Sequence, residues 1–257
     1  MITGANLLGK VDDYRKHIKR VIRILLVGIL FLFVYYLRYI AANQEAVKFI
    51  DFFKMIYHNN ITNAFWYLYM YLGLLIMMPL LQRMSVHMKK NDYLYLLFWI
   101  MIFMGIMPII IHYFPDYSYC EHFNSAILPV YIGMVFAGYY VSHEVELEWK
   151  YFLWSIVIII GCIVIQVFGT VIESCSNPDS YLFWDNRTYL PITLSAVACF
   201  YMVRYIDSKW KNKKVKKILE MMGGCTFGAY LLSDLLIALY VGTYYKIMGR
   251  MGVCVLH

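Results

Sequence analysis

Charge is scarce in this chain. Asp, Glu, Lys and Arg make up 15% of its 257 residues, where a soluble domain carries roughly 25%. With 62% hydrophobic and 18% aromatic residues, it has too little polar surface for a water-soluble fold of this length. That excludes a soluble enzyme and implies a polytopic, all-α integral membrane protein. Metal-ligand spacing is also missing: Cys120, Cys162, Cys175, Cys199, Cys225 and Cys254 form no CxxC or Cys/His pattern, so they read as small packing residues and no metal is expected. There is no Ser-His-Asp order, P-loop, dinucleotide fingerprint or HExxH helix. Gly/Ser linkers, repeats and low-complexity segments are absent too, so residues 1–257 read as one membrane domain. The net charge of +7 does not imply nucleic acid, because the basic residues fall between apolar runs instead of on one soluble face.

Long apolar runs are abundant. Seven of them, at about 21–41, 64–82, 93–113, 126–142, 151–172, 188–206 and 224–246, approach the roughly 20 helical residues needed to cross a hydrocarbon core. Helices are expected because backbone groups in lipid must pair within their own segment, and the runs are too long for barrel strands. Gly105 and Pro108, in FMGIMPII, interrupt the third run.

Lys and Arg in alternate connections give the orientation. One set, which includes Lys10 to Arg23, Arg83 to Lys90, Lys150 and Arg204 to Lys217, holds seventeen, and the other holds six. By the positive-inside rule the residues before 21 are cytoplasmic and the C-terminus lies outside. Membrane lipids are then the first partner expected. The outer connections include FPDYSYCEH at 114–122 and ESCSNPDSYLFWDN at 173–186, both rich in turn formers and interfacial aromatics.

Few residues stand out as chemistry. In KHIKRVIRILL, Arg20 and Arg23 are three apart at a helix entrance. One turn apart on one face, two guanidinium groups suit joint binding of phosphate oxygens; equally, basic residues flanking a span anchor it to anionic headgroups and fix topology. The lysines of KWKNKKVKKILEMM, residues 209–222, read as a topogenic cytoplasmic loop. Asp234, in GAYLLSDLLIALY, is the deepest carboxylate, and a charge at membrane depth requires either a function or a helix-pairing partner. Asp185 and Arg187 lie near an outer interface. His112, closing the third run in IIIHYF, is the histidine best placed for acid–base work, although a single histidine there also reads as interfacial. Asp234 and His112 are the candidate polar site.

Read in order, several segments resemble the integral-membrane acyltransferase family 3, whose members commonly O-acetylate surface polysaccharides. MITGANLLGK with KRVIRIL resembles a helix end, a basic loop and an RxxR pair opening the next helix. WYLYMYLGLLIMMPLL, PVYIGMVFAGYYV and GGCTFGAYLLSDLL resemble three later family segments. The resemblance implies a ten-helix fold that takes an acyl group, usually acetyl, from acyl-CoA at the cytoplasmic side and passes it to a carbohydrate hydroxyl on the far side. Acyl-CoA is then a co-substrate, with no bound cofactor, and Arg20 and Arg23 fall on the donor-binding pair.

The resemblance is incomplete. The family's catalytic His lies in its first helix, which would precede Met1, and histidines of two family segments are replaced by Ala64 and Ser233. The expectation is a chain lacking the first helix, part of the second and the last, with seven complete spans and little transferase activity of its own. A small transporter or lipid-handling protein, or a noncatalytic membrane scaffold, are the alternatives.

Overall fold

The computed structural model describes residues 1–43, 48–58, 65–114, 129–176, 184 and 188–250, all helix, turn or coil with no strand among them; the side chains of 42, 176, 238–239 and 241–250 are not described. The helices are α1 (Ile2–Leu7), α2 (Tyr14–Asn43), α3 (Phe49–His58), α4 (Trp66–His87), α5 (Lys90–Ile100), a π-helical turn (Met101–Ile106), α6 (Met107–Tyr113), α7 (Val130–His143), α8 (Trp149–Ser176), α9 (Leu190–Lys209) and α10 (Lys213–Arg250). Five helical segments among the described residues are long and apolar enough to span a membrane: Tyr14–Ala41, Trp66–His87, Lys90–Tyr113, Trp149–Cys175 and Leu190–Lys209. These answer to five of the seven expected runs. The fourth run is helical over Val130–His143, 14 residues, or about 21 Å at 1.5 Å per residue, and residues 126–128 lie outside the described residues. The seventh lies within α10.

The chain divides into two compact units. One contains Met1–Asp13 and Met77–Trp210, the other Tyr14–Ile76 and Lys211–His257, so one of the three boundaries along the chain falls within α4.

In the first unit, glycines allow helix backbones to touch. A Cβ on Gly4 of α1 would overlap the Val135 carbonyl of α7, and one on Gly138 would overlap the Met1 carbonyl. This close approach explains why the opening MITGANLL is helical and apolar: Leu8 is completely buried. Gln82, also completely buried, donates from Nε2 to the Leu7 carbonyl at 2.9 Å and accepts at Oε1 from the Asp12 N–H at 3.3 Å. One amide thus satisfies the end of α1 and the loop after it. Tyr93 of α5 packs on Phe136, Tyr139 and Tyr140 of α7. The connection 144–148 is tied to α9: the Tyr201 hydroxyl donates to the Glu146 carbonyl at 3.0 Å and accepts from the Glu148 N–H at 3.1 Å, while the Arg204 guanidinium donates to the Val141 carbonyl near the end of α7. A cation at a helix C-terminus also complements the helix dipole.

The interruption expected at Gly105 and Pro108 is present as the π-helical turn. Proline at the start of α6 cannot donate to the preceding turn. Gly105 brings the widened turn against the backbone of Leu190.

The second unit is centred on Leu32, Tyr35, Tyr36, Ile40, Phe52, Phe65, Leu68 and Leu231. Here too a glycine sets the helix spacing, since a Cβ on Gly28 would stand 2.7 Å from Leu68 Cδ2.

Candidate functional site

α2 begins at Tyr14, about two turns before the apolar run does, because Arg15 to Arg20 are good helix formers whose charges need only reach water. Arg20 and Arg23 therefore sit inside a continuous helix, one turn apart, Arg20 half-buried and Arg23 exposed. Their spacing of about 4.5 Å along the axis suits two guanidinium groups acting on neighbouring phosphate oxygens.

One turn earlier on α2 is His17, for which sequence reasoning finds no role beyond a cytoplasmic loop. It is 4% exposed, and its Nε2 lies 2.7 Å from the Leu75 carbonyl of α4. The reason is in the sequence of α4. Within an α-helix that carbonyl would accept from the N–H of residue 79, but residue 79 is proline, inside the helix, and has no N–H. His17 supplies the missing donor. A carbonyl can only accept, so Nε2 bears a proton, and in the neutral imidazole Nδ1 is then the acceptor. That Nδ1 is buried and has no hydrogen-bond partner among the described residues.

Asp234 is half-buried on α10, beside a tyrosine inserted into the helical hydrogen bonding. The Tyr35 hydroxyl donates to the Leu231 carbonyl at 3.0 Å and accepts from the Leu235 N–H at 2.9 Å. It is inserted where those two groups would otherwise bond to each other, so the helix turn containing Ser233 and Asp234 is held open by a phenol from α2.

In the first unit, His112 has a carboxylate partner that the sequence does not reveal. Its Nε2 lies 3.1 Å from Glu173 Oε1, and the Tyr113 hydroxyl donates to Glu173 Oε2 at 3.1 Å. Trp184 Nε1 donates to the Tyr113 oxygen at 3.0 Å, and its indole lies over Gly169, where a Cβ would clash with it. The sequence predicts residue 173 at the opening of an outer loop; instead α8 continues to Ser176. The His112 side chain is 30% exposed and that of Glu173 only 3%. A buried carboxylate thus orients a more accessible imidazole, the relation found where histidine serves in acid–base work.

The candidates therefore fall into separate places. Arg20 and Arg23 share α2, Asp234 is on α10 of the same unit, and His112 belongs to the other unit. Asp185, Arg187, His122 and Cys120 lie outside the described residues. The signal for Glu173 is a carboxylate closing a run of the same orientation as the run His112 closes. The signal for His17 is Pro79, but linking them needs the register between α2 and α4.

The described helices, five of them long and apolar enough to cross a membrane, define a polytopic helical membrane protein, with a pair of arginines near the start of one such segment and a histidine–carboxylate pair near the ends of two others. The family model described as an acyltransferase domain matches residues 1–253. The chain belongs to acyltransferase family 3. No curated protein and no solved structure matches it.

Proposed function

We propose that the protein handles an acyl group, most simply acetyl, supplied by acyl-CoA at the cytoplasmic side of the membrane and destined for a hydroxyl of a cell-surface carbohydrate. Arg20 and Arg23 hold phosphates of the donor, the residues before 21 are cytoplasmic, and the C-terminus is outside. His112 and Asp234 are polar positions within the membrane domain. The family match and the partition of basic residues support this reading. The observation that carries it is the placement of two guanidinium groups one turn apart on α2, near the polar start of a span.

The test is acetyl-CoA binding by the purified chain in lipid nanodiscs. Charge-assisted hydrogen bonds contribute about 1.5 to 3 kcal/mol each, so Arg20→Ala with Arg23→Ala is expected to weaken binding by at least about tenfold. Unchanged affinity in the double variant would refute the donor assignment.

A further inference from the structure

We propose that His17 is part of the acyl-donor site and accepts a hydrogen bond, at Nδ1, from the nucleotide half of CoA. The inference rests on the donor reading given above. Its own evidence is the orphaned atom: among the described residues, His17 Nδ1 is the buried side-chain nitrogen or oxygen without a hydrogen-bond partner. A buried polar atom without a partner is costly, and native structures pair the great majority of them.

Three facts narrow the ligand. First, the Leu75 carbonyl takes the Nε2 proton, so in the neutral ring Nδ1 is an acceptor and calls for an N–H or O–H donor. Second, Arg20 follows one turn later on α2, about 60° round the helix from His17, and Arg23 a further turn and about 60° on, which gives the order along the helix as acceptor, then cations. Third, the helix is apolar beyond Arg23, so a thioester carrying an acyl chain extends in that direction and the nucleotide is left at the polar start, beside His17. The donors a nucleotide offers are the exocyclic amine of adenine and a ribose hydroxyl. In this arrangement the arginines bind the phosphates of any such ligand, while His17 adds discrimination for the nucleoside.

The experiment uses the full chain in nanodiscs with two probes, adenosine bisphosphate (the nucleotide half of CoA) and inorganic pyrophosphate, and reads both affinity and thermal midpoint. His17→Gln keeps a donor near the Nε2 position but has no acceptor at Nδ1; His17→Asn keeps an acceptor near Nδ1 and loses the Leu75 bond. The expected result is that His17→Gln binds adenosine bisphosphate about three- to tenfold more weakly, as for one hydrogen bond, with pyrophosphate affinity and midpoint close to wild type. His17→Asn should retain nucleotide affinity at a lower midpoint, and Arg20→Ala/Arg23→Ala should weaken both probes. If His17→Gln binds the nucleotide as wild type does while the arginine variant loses it, the inference fails and the donor reading stands. The inference fails in the same way if nucleotide affinity merely tracks the midpoint, as a bracing role requires. If the arginine variant binds both probes normally, or wild type binds neither, the donor reading fails and the inference with it. Should His17→Asn not fold, His17→Gln against wild type still decides the matter.

Discussion

Two histidines, one in each unit, are held at similar distances by very different partners. His17 is buried and its Nε2 meets a backbone carbonyl left without its helical donor by Pro79. His112 is partly exposed and its Nε2 meets the buried carboxylate of Glu173, itself held by Tyr113. The carbonyl takes one ring proton of His17; the carboxylate, shared with the Tyr113 hydroxyl, orients the ring of His112. The first arrangement makes histidine a buried donor to a neighbouring helix, and the second sets a more accessible imidazole against a buried carboxylate. Residue type alone does not separate these roles, whereas the partner on one ring nitrogen does.

The contrast is most vulnerable at Glu173. His112→Ala leaves a carboxylate 3% exposed with one partner fewer, and should cost about 2 to 3 kcal/mol of unfolding free energy in detergent. A loss below about 0.5 kcal/mol would mean that the pair is incidental. His17→Ala should cost less, about 1 to 2 kcal/mol, since it strands a neutral carbonyl. That smaller effect has a sharper control: in a Pro79→Ala background the residue 79 N–H can serve the Leu75 carbonyl again, and the cost of His17→Ala should fall by about 1 kcal/mol. An additive double-mutant cycle would show that the repair is not what His17 does. Tyr35→Phe is expected to have the smallest effect, about 0.5 kcal/mol or less. The Leu235 N–H and Leu231 carbonyl that its hydroxyl separates can bond to each other, and amide exchange at Leu235 should slow as the turn closes.

The spans are legible in the sequence because a bilayer demands long apolar runs and imposes helix on all of them. Their polar ends are less so. Hydropathy starts the first span at residue 21, but α2 reaches back to Tyr14, since Lys and Arg favour helix as long as their charges find water. It ends α8 before Glu173, because ESCSNPDS looks like a turn, yet the helix continues far enough to bring that carboxylate to His112. The interruption at Gly105 and Pro108 can be read directly, since both residues act on their own helix. The links from Leu75 to His17 and from Glu173 to His112 cannot: they join positions about 60 residues apart, and their existence depends on helix register, which apolar periodicity leaves loose. Arg20 and Arg23 emerge from spacing within one turn, where sequence distance and spatial distance coincide.

What separates Arg20 and Arg23 as ligands of the acyl donor from Arg20 and Arg23 as mere anchors of a span is the shape of the cation. Lysine keeps the charge that topology and headgroup contact require, but not the planar fork that grips phosphate. Acetyl-CoA titration of the Arg20→Lys/Arg23→Lys chain in nanodiscs is therefore decisive: donor binding requires affinity at least about tenfold below wild type with insertion unchanged, and equal affinity would show that the pair only anchors.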